Sequence, residues 1–358
     1  MRKTRWNICL ACVLLVTGLT TVWLYGMRAR LFSDIQIKKT EDVWVASGPI
    51  EYGLSCPWTR PILSGNRLII VEKQKRKFYI KGFSITRLGM CFSRDDYFVT
   101  AFQLFGGHRV YRTNIRVRKN PLQILGIWPW GENVVVCGYC QEEPCLENRI
   151  FYITILNGKG RVLNQFPIHA HEFPIHTYPM AVDERNNLLI CRGLRILQLP
   201  SGTEKLTVNL EYCIHMATDK DGNVYVNRLN QRDDNWADYV YKRVPNVSGH
   251  IEKYSTVPWK KLWSVEVTPE KGYAWLLKYE DNMLWYAVCD ERMGGTIEGR
   301  TKWIGGPLDA ETGERVETDR TCDPYRIETE FDGRQYVVTK KDDDLHVRII
   351  PLKETEQP

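Results

Sequence analysis

The feature that most constrains this chain is a short unit that recurs along it: a turn-forming cluster, three or four apolar or β-branched residues, then a polar one. It reads as Ser64-Gly65-Asn66-Arg67 before LIIVE, Arg94-Asp95-Asp96 before YFVTA, and Gly131-Glu132-Asn133 before VVVCG. It returns as Asn186-Asn187 before LLICR, Asp221-Gly222-Asn223 before VYVNR, Glu270-Lys271 before GYAWLLK, and Asp332-Gly333-Arg334 before QYVVTK. Gly, Asn and Asp supply tight-turn backbone, and β-branched and aromatic residues suit a pleated strand. Each unit is followed by a second strand-like run, such as RVYRTNI, RIFYITIL or LHVRIIPL. Several then show a hairpin and a third run, as in ITIL-Asn157-Gly158-Lys159-Gly160-RVLNQF. No helix pattern stands out after residue 30. From Ile70 to Val337 the seven units have a mean spacing of about 44 residues, the period of a four-stranded propeller blade. The expected fold is therefore all-β, a β-propeller of six to eight four-stranded blades over residues 61–352, with seven repeat units read. A two-sheet sandwich or several small all-β domains would use the same short strands. A ring must also close: Val43-Trp44-Val45-Ala46, in the segment 31–60, is a strand-like run placed to join the last blade. Residues 353–358 read as a frayed polar tail.

The N-terminus reads differently. Trp6 to Tyr25 carries no charge over 20 residues. As a helix it would span about 30 Å, the thickness of a bilayer core. Arg2, Lys3 and Arg5 precede it and Arg28 and Arg30 follow, so the positive-inside rule leaves the N-terminus in the cytoplasm. Residues 1–30 are thus expected to be a cytoplasmic stub and signal-anchor transmembrane helix, with the body extracytoplasmic, periplasmic or at the cell surface. A cleaved signal peptide, with Val16-Thr17-Gly18 as its site, would instead give a secreted body.

The net charge of +6 is mostly this terminus: five basic and no acidic residues lie in the first 30, leaving 44 basic against 43 acidic in the rest. Non-specific nucleic-acid binding needs a positive field that this body lacks, so no nucleic-acid partner is expected. Nine of the 11 cysteines lie outside the apolar run, and an exported body would let some of them pair. Asn246-Val247-Ser248 would accept a glycan in a eukaryotic host.

Two units align by eye. Met180-Ala181-Val182-Asp183 with Asn187, and Met216-Ala217-Thr218-Asp219 with Asn223, occupy matching positions. The run MATDKDGNVYVNR resembles the repeat of NHL-type and gluconolactonase/regucalcin-like propellers, in which an apolar-x-D-x-x-G-N run opens a blade. In the metal-dependent lactonase-like members the ligands are Glu, Asn and Asp at inner strand starts. Asp183 and Asp219 could mimic two of these, but no matching Glu and Asn is located, so lactonase activity is not carried over.

Candidate chemistry concentrates in two places. Cys137, Cys140 and Cys145 fall within nine residues; Gln141 stands where a c-type haem needs His, and no second CxxC offers zinc a fourth ligand. A Cys140–Cys145 disulfide closing a loop, a metal site, and buried thiols remain open. Cys191, Cys213 and Cys289 read as small buried hydrophobes. His169, His171, Glu172 and His176, with His215 before the next unit, form the best candidate site, for a divalent metal. Ordinary loop histidines are the competing reading. Asp219-Lys-Asp221-Gly222-Asn223 lacks the Gly and Glu positions of an EF-hand, so it reads as a turn with Gly222 or Asn223 at positive φ. No G-x-S-x-G, Walker A, G-x-G-x-x-G or HExxH motif occurs.

The function expected from these features is recognition: a membrane-anchored, extracytoplasmic propeller presenting loops to a protein or glycan partner. Trp128, Trp130, Trp236 and Trp259 lie beside turn signals, where Trp can serve either binding or packing between blades. The rivals are a metal-dependent hydrolase or lactonase at His169–His176, and a scaffold subunit of a membrane complex.

Overall fold

The computed structural model describes residues 35–50, 60–77, 93–118, 120–140, 150–169, 180–191, 195–207, 213–229, 249–267, 273–289, 301–302, 307–318, 326–341 and 344–352. These residues form 26 strands in six antiparallel sheets, each the blade of a propeller. Strands β1 (Gln36–Lys39) and β2 (Val43–Ser47) come first. Blade 1 follows with β3 (Ile62–Ser64), β4 (Arg67–Lys77), β5 (Ser93–Gln103) and β6 (Arg109–Thr113). Blade 2 holds β7 (Arg116–Val117), β8 (Asn120–Trp130), β9 (Asn133–Cys140), β10 (Ile150–Leu156) and β11 (Val162–His169). Blade 3 is β12 (Met180–Asp183), β13 (Leu188–Cys191), β14 (Arg195–Gln198) and β15 (Thr203–Thr207). Blade 4 is β16 (Cys213–Thr218), β17 (Asn223–Leu229), β18 (Gly249–Thr256) and β19 (Trp259–Val267). Blade 5 is β20 (Tyr273–Glu280), β21 (Met283–Cys289), β22 (Thr301–Lys302) and β23 (Leu308–Asp309). Blade 6 runs β24 (Ile327–Phe331), β25 (Arg334–Lys341) and β26 (Asp344–Pro351), then takes β2 and β1 as its outer strands.

The seven apolar units do not map one to a blade, and the count is corrected to six. LIIVE and YFVTA are β4 and β5, neighbours in one sheet, with Val71 opposite Val99. The polar trio Arg94-Asp95-Asp96 is no turn; it lies inside β5, whose pairing with β4 begins at Ser93 opposite Lys77. YFVTA is therefore a third strand and GYAWLLK an inner strand, β20, whereas LIIVE and the remaining four units are second strands.

Those second strands explain why the repeat was apolar on every residue. A blade is covered on both faces by its neighbours, so alternate side chains enter different cores. In β4, Ile69 and Val71 join the cluster shared with blade 2, while Leu68 and Ile70 join the cluster shared with blade 6. In β9, Val134 and Val136 face blade 1 while Val135 and Cys137 face blade 3. In β13, Leu189 and Cys191 turn to blade 2, and Leu188 and Ile190 to blade 4. Cys191 and Cys213 are fully buried among apolar side chains, as small hydrophobes should be.

Closure comes from the N-terminal side. β2 pairs with β26, with Trp44 opposite Val347, so the last blade is completed by strands from the start of the body. Trp44 is fully buried, and its Nε1 donates to the Leu104 carbonyl of blade 1 at 2.8 Å. Gly107 allows the turn beside it: its φ is +65°, and a Cβ there would lie 2.9 Å from the Trp44 ring.

Polar latches repeat around the ring. Ser64 Oγ donates to the Gly131 carbonyl at 2.8 Å, and Arg67 bonds the Gly158 and Glu132 carbonyls, joining blades 1 and 2. Trp130 Nε1 donates to Asn187 Oδ1 at 2.9 Å between blades 2 and 3. Tyr225 OH donates to the Ala310 carbonyl at 3.2 Å, and Lys253 Nζ meets Glu311 at 2.6 Å, between blades 4 and 5.

The expected transmembrane segment lies outside the described residues. Among the described residues no helix is long and apolar enough to cross a membrane. The Cys140–Cys145 bridge also falls partly outside them, at Cys145. No disulfide joins two described cysteines, and Cys140 ends β9 inside the core between blades 1 and 2.

Candidate functional site

The inner strands β3, β8, β12, β16, β20 and β24 stand around the axis of the ring. They leave a cavity of about 440 Å³ at the hub, lined from five blades. This is within the range of ordinary small-molecule sites, about 300–1,000 Å³. Apolar residues form much of its wall, including Ile62, Ile127, Trp128 and Met216; Arg60, Lys278, Arg326 and Glu328 supply charge.

Lys278, Arg326 and Glu328 are each held by their neighbours. Lys278 Nζ bridges two blades, donating to the Arg326 carbonyl at 2.8 Å and meeting Glu280 at 3.1 Å. Arg326 pairs with Glu328, whose other oxygen accepts from Gln335 Nε2 at 2.9 Å. Lys278 and Arg326 thus each stand against a carboxylate, Glu280 and Glu328.

His215 is the only residue of the sequence-derived metal set that reaches this cavity among the described residues. A bulge in the pairing of β16 with β17, between Cys213 and His215, sets its register. The ring is 8% exposed, and its Nδ1 accepts from the Leu277 N–H at 3.4 Å. Burial, and then the positive field of Arg60, hold its pKa well below the usual histidine value, so the imidazole is neutral at pH 7. His169 ends β11, the outermost strand of blade 2, whereas His215 is on the innermost strand of blade 4. His171, Glu172 and His176 lie outside the described residues. Among the described residues no three His, Cys, Asp or Glu cluster as a metal site would require.

The aspartates of the aligned units have work of another kind. Asp183 is fully buried; it accepts from Thr256 Oγ1 at 2.5 Å, from Asn186 Nδ2 at 2.7 Å and from the Asn186 N–H at 3.1 Å. Asp219 accepts from the Asp221 and Asn223 N–H groups, from Asn223 Nδ2 and from Tyr225 OH, at 2.8–2.9 Å. Gly222 takes the positive φ, +83°. Asp219 thus holds the turn of its own blade, and Asp183 holds its turn and joins blade 3 to blade 4.

The tryptophans divide similarly. Trp128 lines the cavity, Trp130 ties blade 2 to blade 3, and Trp259 stacks on Tyr254 with centroids 4.9 Å apart. Trp236 lies outside the described residues. Sequence reasoning missed Arg60, Lys278, Arg326 and Glu328, which are scattered along the chain and meet only when the ring closes.

No protein-family model matches the chain, and no curated protein matches it. Among solved structures it is similar to Sqt1 of Saccharomyces cerevisiae at 10% identity, covering 82% of this chain and 97% of that one, with a TM-score of 0.34. It is similar to the WD40 β-propeller domain of Doa1 at 9% identity, covering 88% and 97%, with a TM-score of 0.39. It is also similar to a Glu150Asp mutant of Synechocystis apocarotenoid oxygenase at 12% identity, covering 84% and 70%, with a TM-score of 0.37. Likeness at this level carries no argument about what the chain does. The NHL and lactonase resemblance gains no support from these comparisons, and the six-bladed ring rests on the chain's own sheet topology.

Proposed function

We propose that this chain is a recognition module: a rigid six-bladed disc that binds its partner at the hub, held at a membrane by the apolar segment Trp6–Tyr25 with the disc on the extracytoplasmic side. The observation that carries the reading is the cavity of about 440 Å³, walled by five blades of a closed ring. Such a cavity is preformed, because its wall strands are fixed by the cores between blades. A preformed site loses little ordering entropy on binding. A protein or glycan chain presenting one side group into the hub would be recognised there, with the hairpin loops around it supplying further contact.

The test is photo-crosslinking in cells with the full chain, a photoreactive residue replacing Trp128 at the hub or Lys205 on the exposed β15. A discrete adduct is expected from the hub position and none from β15. Adducts from both positions alike, or from neither, refute binding at the hub. Protease added to cells stripped of their outer barrier tests the orientation separately: digestion of the body supports export, and protection until the membrane is opened refutes it.

A further inference from the structure

We infer that the hub cavity takes an uncharged apolar group, seated against Ile62, Ile127, Trp128 and Met216, and that its wall selects against anions and cations alike. This deepens the recognition reading by naming what the partner must present, and it rests on the hub being the binding site.

Two features of the wall lead there. First, its apolar side chains come from separate blades: Ile62 from blade 1, Ile127 and Trp128 from blade 2, Met216 from blade 4 and Ile327 from blade 6. Each is anchored from behind in a core between blades. Ile62 and Ile127 pack between blades 1 and 2, Trp128 between 2 and 3, Met216 between 3 and 4, and Ile327 between 6 and 1. The wall cannot close on an empty centre without opening those cores, so the hub keeps its volume and gains when apolar surface enters it.

Secondly, the charges of the wall already answer one another. Lys278 meets Glu280 and donates to the Arg326 carbonyl; Arg326 pairs with Glu328, which also accepts from Gln335. Arg60 is not free either. His215 is neutral at pH 7, and its Nδ1 is taken by the Leu277 N–H. An anion entering the hub must draw Lys278 or Arg326 from its carboxylate, and a cation must draw Glu328 from Arg326. Either exchange gives up one ion pair for another while the ligand's own charge leaves water, a net loss. An uncharged group leaves every pair intact. It can come from a free small molecule or from an apolar side chain of a partner protein.

The experiment is calorimetric titration of the full-length chain, in an uncharged detergent, with 4-phenylbutan-1-ol, 4-phenylbutyrate and 4-phenylbutylamine. The three share one apolar body and differ in charge. Thr329→Trp, which fills the cavity from the half-buried Thr329 of β24, supplies the background from the detergent. The alcohol should bind saturably below about 5 mM, independently of salt, and the acid and amine at least about tenfold more weakly. Breaking the balance should create the missing selectivity. Glu328→Gln uncovers Arg326 and should strengthen acid binding about threefold or more; Arg326→Gln uncovers Glu328 and should do the same for the amine. Neither should move the alcohol, and opposite gains in two variants are not what damage to the fold produces. Acid or amine binding as tight as the alcohol, no saturable alcohol binding beyond the Thr329→Trp background, or unchanged acid and amine binding in both charge variants would each overturn the inference. If the photoadduct at position 128 forms while the alcohol fails to bind, the ligand class is wrong and the hub remains the recognition site. Loss of both would remove the hub itself. With the alcohol bound, a protein-sized adduct assigns the group to a partner's side chain, and a small mass increment assigns it to a free molecule.

Discussion

Replacing Asp183 with Ala should destabilise the propeller by about 3–4 kcal/mol while leaving any bound metal unchanged. The carboxylate is fully buried at the end of β12 and accepts three hydrogen bonds, one of them from Thr256 at the end of β18 in the next blade. A hydrogen bond to a charged group is worth about 1.5–3 kcal/mol net, and an orphaned buried donor costs about 1–3 kcal/mol. The Thr256 hydroxyl has a second acceptor, the Gly222 carbonyl at 3.0 Å, so it can turn and recover part of its share. The Asn186 N–H and amide have less recourse, since Nδ2 retains only Thr256 Oγ1 at 3.0 Å. This places the loss between one and two full bonds. Thr256→Val should cost about 1–2 kcal/mol, and the double variant should show a coupling of about 1.5 kcal/mol or more. Denaturant unfolding of the full chain, with metal analysis of each variant, measures both quantities. A cost under about 1 kcal/mol for Asp183→Ala, or strict additivity with Thr256→Val, would show that Asp183 does not latch the blades and would return it to the pool of ligand candidates.

Trp44→Ala should cost about 3–5 kcal/mol by emptying the seam between blades 6 and 1, and Trp44→Phe about 1–2 kcal/mol through the bond to Leu104, both read from denaturant unfolding. If Trp44→Ala is tolerated, closure by β2 is not what holds the ring. His215 is depressed from 6.5 in the folded chain by burial and by Arg60, so below that pH the unfolded chain binds the extra proton. Stability should therefore fall as pH drops from about 6.5, by up to about 1.4 kcal/mol per unit, and His215→Gln should lose that component. Parallel pH profiles for the two proteins would refute it. Tyr111 is buried with its hydroxyl unbonded among the described residues, and burial pushes its pKa up to about 12. Tyr111→Phe should accordingly be neutral or stabilising by up to about 1 kcal/mol; a clear loss would reveal a partner for that hydroxyl.

What could be read from the sequence follows from which strands are covered on both faces. Second strands such as LIIV, VVVC and LLIC are sandwiched between neighbouring blades, so every residue is apolar and the run stands out against its turn. The strand at Val43–Ala46 is visible for a different reason: Trp44 and Ala46 bury one face completely while the β-branched Val43 and Val45 half-cover the other. Most inner strands hide because one side meets the hub, as in β24, where Glu328 breaks the apolar run; β20 stands out only because Tyr273 to Leu277 is apolar up to Lys278. Counting apolar runs consequently merges inner, second and third strands, so that β4 and β5 of blade 1 read as two blades. The aspartates of the aligned units were visible as a pattern but not as a role. An acidic residue before a turn looks the same in one dimension whether it binds a metal or accepts bonds from the next blade.

The hub was invisible for a deeper reason. A propeller builds its centre from one short piece of each blade, so Arg60, Trp128, His215, Lys278 and Arg326 share a wall although scores of residues separate each from the next. No local motif can encode such a site. What encodes it is the set of constraints that closes the ring: Trp44 seated under Leu104, Arg67 reaching the Gly158 and Glu132 carbonyls, Asp183 against Thr256, and Lys278 on the Arg326 carbonyl. Lys278 belongs to both lists, since the same ammonium that ties blade 5 to blade 6 also charges the cavity. Its removal should loosen the ring and alter binding at the hub together, whereas Arg326→Gln, which keeps the backbone carbonyl that Lys278 bonds, should alter binding alone. Stability and affinity are therefore coupled at Lys278 and separable at Arg326, and that contrast distinguishes a hub built to bind from one that is only the space left at the centre of a ring.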